Sequence, residues 1–210
     1  MYRKIVKRIK LISVPVVTAI TLSTLMSCAN VIEHKVSDFE GENLITPYSG
    51  FLVGWQLSVK NFENYHSSVW QHPTRGFNDA YVISVTLPDK EISYYRQVID
   101  KPGYDSCVDF STVTIQHSIA YTLLNESSDY NHYPRELWQT HCTKKDGSEA
   151  KILHLILQGQ DSFYHMQKIW QDSFRTEEIN AWQQHFKQTY LCDTRKPGMV
   201  CPNMPKAVSD

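Results

Sequence analysis

The chain has 210 residues and a formal net charge of −1, from 21 Lys and Arg against 22 Asp and Glu. Apolar side chains make up 41% of it and aromatic rings 12%. That excludes an intrinsically disordered chain, because enough apolar surface is present to build a core. The body of the chain has no basic run, which argues against a nucleic-acid partner.

The N-terminus carries Arg3, Lys4, Lys7, Arg8 and Lys10 and no acid, and residues 11–26 carry no charge. A basic segment, an apolar segment and a small residue before a cut describe a secretory signal. The apolar stretch is only 16 residues long and contains Pro15 and several Thr and Ser. A membrane-spanning helix needs about 20 apolar residues. The stretch ends in Leu25-Met26-Ser27-Cys28, which resembles the lipobox of bacterial lipoprotein precursors, with Met26 where that family usually has a smaller residue. The resemblance implies removal of residues 1–27 and acylation of Cys28. Ala29, rather than Asp, after the cysteine implies transport to the outer membrane. The mature chain of 183 residues would carry a charge of about −6.

Residues 28–50 mix acids, Asn, Ser, Gly and Pro and read as the lipidated cysteine followed by a tether. Alternation then predicts a strand over 51–59, with Phe51, Val53, Trp55, Leu57 and Val59 on one face. A long loop rich in His, Ser and Asn runs to Asp79. Further strands are expected over 81–87, 92–99 and 113–123, with turns at Pro88-Asp89-Lys90 and Lys101-Pro102-Gly103. After a polar loop over 125–134, a strand over 136–142 meets the hairpin signal Lys144-Lys145-Asp146-Gly147. Residues 152–157 are apolar on both faces except for His154, as in a central strand covered on both sides.

The apolar period then changes to that of a helix. Asp161 is placed to cap one helix, with Phe163, Met166 and Trp170 along a stripe. Thr176 is placed to cap a second, with Glu177 and Glu178 at its positive end and a stripe of Ile179, Trp182, Phe186 and Tyr190. Strands first and helices last predict an α+β domain over 51–192, a mainly antiparallel sheet followed by two C-terminal helices packed on one face. Residues 193–210 form a tail.

Four cysteines remain after Cys28, and an even number in an exported chain points to disulfides. Three connectivities exist. The favoured pairing is Cys107–Cys142 and Cys192–Cys201, because Pro197-Gly198 turns the short loop back on itself. The alternative of a zinc site lacks any C-x2-C pair.

No sequence feature names a reaction. There is no G-x-S-x-G and no glycine-rich phosphate loop. Nine histidines include no pair at i, i+2 or i, i+4, so neither metal nor cofactor is expected. His117 falls in the apolar row of its strand and His154 interrupts the most apolar strand. If those strands are neighbours, the two imidazoles face one another; the ordinary alternative is a neutral core histidine with a hydrogen-bond partner. Trp70 and Trp138 are the candidate binding aromatics, and packing beneath a loop or a disulfide is their ordinary alternative. The reading that follows is an outer-membrane lipoprotein whose domain faces the periplasm and binds another envelope component as an accessory subunit. The alternative is a lipid-anchored envelope hydrolase using His117 or His154.

Overall fold

The computed structural model describes residues 41–47, 50–118 and 133–195, all within a unit spanning 34–210. The leader, Cys28, Cys201 and most of the expected tether, polar loop and tail lie outside the described residues.

Seven strands form one sheet: β2 (Gln56–Phe62), β3 (Tyr65–His72), β4 (Gly76–Thr86), β8 (Phe163–Gln171), β7 (Glu149–Gln158), β6 (Arg135–Thr143) and β5 (Asp109–Ser118), in that spatial order. Every neighbouring pair is antiparallel. A second, two-stranded sheet pairs β1 (Glu42–Ile45) with β9 (Tyr190–Asp193). The fold is thus α+β and mainly antiparallel. The segment read as tether contains β1, and β3 lies inside the segment read as a long loop.

The two helices are not both C-terminal. One, α1 (Ile92–Ser106), stands between β4 and β5, where a strand and a turn are expected. Its sequence carries two patterns. Ile92, Tyr94 and Val98 fit alternation, whereas Ile92, Tyr95 and Ile99 fit a helical stripe. The protein buries the second set: these three pack on Trp138, Ile156 and Phe163, while Tyr94 and Val98 are exposed. Pro102 lies inside the helix, one residue before Gly103. A Cβ on Gly103 would sit 2.1 Å from the Phe110 ring, so only glycine lets the end of α1 lie against β5.

The expected helix at Phe163–Trp170 is instead β8. The 3–4 spacing of Phe163, Met166 and Trp170 is incidental, because both faces of this strand are covered. Tyr164, Met166, Lys168 and Trp170 form one buried row, and Phe163, His165, Gln167 and Ile169 alternate with them. Asp161 caps no helix there; it pairs with Arg195.

The C-terminal helix, α2 (Thr176–Lys187), forms where expected. Its stripe of Ile179, Trp182 and Phe186 is buried, with Glu177 and Glu178 in the first turn. Arg175 rather than Thr176 occupies the N-cap position, without a side-chain cap. At the other end, the buried Arg135 guanidinium donates to the carbonyls of Phe186 and Thr189 at 3.0 and 3.1 Å. It satisfies carbonyls that a helix terminus leaves open.

The helices cover opposite faces of the sheet. α2 packs with Tyr81, Ile83, Val85, Leu137, Leu153, Leu155, Tyr164 and Met166. α1 packs with Trp138, Ile156 and Phe163, which alternate with Leu137, Leu155 and Tyr164 along the same strands. The expectation of both helices on one face is therefore corrected. A sheet with long apolar rows on both sides needs a cover on each.

Cys107, immediately after α1, is bonded to Cys142 of β6, with Cα atoms 5.5 Å apart. The bond closes a separation of 35 residues, and opening it is expected to cost about 2–4 kcal/mol through the freed unfolded chain. A Cys107→Ala/Cys142→Ala variant should show that loss in urea denaturation; an unchanged midpoint would contradict it. Cys192 is also disulfide-bonded. Its expected partner, Cys201, lies outside the described residues.

Candidate functional site

The face of the sheet that carries α1 has room beside the helix. α1 lies over β6 and β7, and beside it β3, β4 and β8 floor a groove of about 400 Å³. β3 contributes Tyr65. β4 contributes Val82, Ser84 and Thr86, which share a face because they alternate. β8 contributes Phe163, His165 and Gln167 by the same alternation, and α1 closes one side with Tyr95, Val98 and Ile99. The lining is mainly apolar and aromatic, with few polar groups, as in small-ligand sites generally. Among the described residues, none that lines the groove is Asp, Glu, Lys or Arg.

Most of the polar groups fall into two hydrogen-bonded sets. Tyr65 and Ser84 share a hydrogen bond at 3.3 Å across the β3–β4 pair. His165 Nε2 lies 3.2 Å from His154 Nδ1, and His154 Nε2 lies 3.3 Å from the Thr140 hydroxyl. The amide nitrogen of Gln167 stands 3.3 Å from His165 Nδ1 and 3.1 Å from its Nε2. The His154 ring is stacked on Trp138 at 4.6 Å and nearly parallel to His165 at 5.5 Å. Burial holds His165 far down, to about 3. Burial, then His165, then Arg96, hold His154 well below the usual imidazole range. Both rings are therefore neutral at neutral pH and act as hydrogen-bonding groups.

Trp138 is wholly buried beside the His154–His165 pair. Its Nε1 donates to Asp100 at 3.0 Å, and the Arg96 guanidinium lies 4.2 Å from the ring centroid while pairing with Asp100 and Glu136. These contacts fix α1 on the sheet.

The four candidate residues from the sequence are thus split. Trp138 and His154 meet under α1. Trp70 is on the opposite face, half-buried and stacked on Tyr81 at 5.2 Å. His117 is on edge strand β5, exposed, with its Nδ1 3.9 Å from Glu136. β6 separates β5 from β7, so His117 does not face His154; the ring that does is His165. Sequence reasoning missed His165, Gln167 and Ser84 as a set. Reading β8 as a helix dispersed two of them, and Ser84 gains meaning only through its register opposite His165.

A second polar cluster lies on the α2 face. Lys168 and Asp79 are both fully buried and ion-paired, with Arg75 also on Asp79. The Lys168 ammonium is 4.3 Å from the Trp170 ring, 5.3 Å from Trp55 and 5.4 Å from Trp182. Glu42, also buried, accepts the backbone N–H groups of Gln160, Asp161 and Ser162 at 2.6, 3.2 and 3.2 Å. A Cβ on Gly159 would meet that carboxylate at 2.2 Å, so the β7–β8 turn requires glycine there. Both clusters are closed and hold elements together.

Among the described residues, no three or more His, Cys, Asp or Glu side chains are grouped to hold a metal ion. No helix among them is long and apolar enough to cross a membrane.

No protein-family model matches this chain, and no curated protein matches it. Among solved structures, LpqN of Mycobacterium tuberculosis, described as involved in cell envelope biogenesis, is similar at 18% identity with a TM-score of 0.39. The alignment covers 73% of this chain and 86% of that one. A likeness this distant says nothing about what this chain does.

Proposed function

We infer that the protein is an outer-membrane lipoprotein, anchored through Cys28, whose domain faces the periplasm and binds another envelope component in the groove beside α1. The observation that carries the reading is the groove: a hollow of about 400 Å³ beside α1 on the sheet face that this helix covers, with apolar walls and convergent polar groups. The anchor rests on the basic and apolar leader ending in Cys28. The histidines of the hydrolase alternative give it little support. Both ring nitrogens of His154 are engaged inside the protein, and His117 stands on an edge strand away from the groove.

Replacing Cys28 with alanine is expected to move the protein from the membrane pellet to the soluble fraction. An intact mass showing an unmodified Cys28 in the wild-type protein would contradict the anchor.

The groove is tested with a plug. Val98 is half-exposed on α1, so Val98→Trp fills the groove without disturbing the core. Val113→Trp, on the exposed edge strand β5, is the control. Wild-type, plugged and control proteins are affinity-purified from envelope extracts, and co-purifying proteins and lipids are quantified by mass spectrometry. A component recovered with the wild type and the control, and at least tenfold depleted from Val98→Trp, is the expected result. Equal recovery with all three would overturn the assignment.

A further inference from the structure

We propose that the groove takes an uncharged amphiphile: an apolar chain lying along Val82, Ile99 and Phe163, with a hydroxyl group seated between Gln167 and the Tyr65–Ser84 pair. The proposal rests on the groove being the binding site, and adds the chemistry of its occupant.

Charge is the first argument. Among the described residues no Asp, Glu, Lys or Arg lines the groove, and its imidazole, His165, stays neutral. An ionised ligand group entering it would give up its water without meeting a counter-charge, which is costly. An uncharged group loses far less.

Hydrogen-bond direction is the second. A neutral imidazole has one bare nitrogen and one that carries hydrogen. The Gln167 amide nitrogen is within 3.3 Å of both nitrogens of His165. The Thr140 hydroxyl donates to the Ile152 carbonyl and so accepts from His154 Nε2; His154 Nδ1 is then bare and accepts from His165 Nε2, which leaves His165 Nδ1 bare, and Gln167 donates to it. The Gln167 carbonyl oxygen takes no part in these contacts and is the group left to accept. Tyr65 and Ser84 hold two hydroxyl hydrogens and use one between themselves, so one hydrogen remains to be given. Register places Gln167 opposite Val82 and His165 opposite Ser84, so Gln167 and Ser84 are diagonal neighbours on one face. A ligand hydroxyl suits both, because it donates to the first and accepts from the second. A carboxylate cannot donate, and an ammonium cannot accept.

The probes are decan-1-ol, decanoate and decylammonium, which share one chain and differ in the head group. Each is titrated by calorimetry into residues 28–210 carrying Cys28→Ala. Decanol is expected to bind at least tenfold more tightly than either ion. Gln167→Leu should weaken decanol at least fivefold, and Val98→Trp should abolish its binding. Decanoate or decylammonium binding as tightly as decanol would overturn the proposal, as would decanol binding unchanged in both variants. If no probe binds while the plugged variant still loses its co-purifying component, the ligand class is wrong and the groove assignment stands. If the plug also has no effect, both fall.

Discussion

Replacing Asp79 with alanine is expected to destabilise the domain by about 3–5 kcal/mol, the cost of leaving a buried ion without its partner. Lys168 lies in the middle of β8, fully buried, with its ammonium held by Asp79 and walled by the rings of Trp55, Trp170 and Trp182. Burial lowers the pKa of Lys168, and Asp79 is the main influence opposing that. Without the carboxylate, the ammonium is left with the Ile169 carbonyl at 3.2 Å, aromatic faces and the weaker attraction of Glu178. Arg75 loses less, because it is partly exposed and has Glu178 at 4.0 Å. The double replacement Asp79→Leu/Lys168→Met should recover most of the loss, since an apolar pair of similar volume needs no desolvated charges. Urea denaturation of the two variants checks this. A cost under about 1 kcal/mol for Asp79→Ala would mean that the site is hydrated and not closed as described.

Stability is also expected to fall steeply between pH 7 and pH 5. Burial holds His165 at about 3 and His185 at about 4, against an ordinary 6.5, and holds His154 well below that value. The unfolded chain takes up protons at these rings as the pH falls through 6.5, and the folded chain does not. The unfolded state thus binds more protons in this window, so stability is full above it and is lost on acidification. His165 and His185 each account for about 2 kcal/mol between pH 7 and pH 5, and His154 acts in the same direction. Glu42 acts in the opposite sense, because burial raises its pKa and its folded form gains a proton first. Denaturation midpoints measured across this range should show the fall, and His165→Gln should flatten the slope by one proton. A profile that is flat from pH 7 to pH 5 would show that these rings are not kept neutral by burial.

The parts legible in sequence are those in which one pattern dominates. α2 was readable because Ile179, Trp182 and Phe186 fall on one stripe behind two acids. β4, β6 and β7 were readable from alternating or continuous apolar rows, and the hairpin between β6 and β7 from its Lys-Asp-Gly turn. β8 was not readable, because Lys168 and His165 interrupt rows that are nonetheless buried. Each is satisfied by a partner distant in sequence, Asp79 for one and His154 for the other. β3 was hidden in the same way by Ser67 and Ser68, which are buried polar residues within a strand. α1 carries two periods at once, and only contact with Trp138, Ile156 and Phe163 selects one of them. The site shares these difficulties. His154 stands out within an apolar run, but its partner His165 and the groove that His165 lines arise from the pairing of β8 with β4 and β7.

The central claim, that the groove beside α1 is where an envelope component binds, is tested most directly in living cells. Benzoylphenylalanine replaces Val98 in one strain and Lys145, at the exposed β6–β7 turn, in another. After irradiation, the protein is recovered and its intact mass measured. The account predicts a discrete covalent adduct at position 98, absent at position 145. Adducts at both positions to the same extent, or none at position 98 while the protein remains in the membrane fraction, would contradict it.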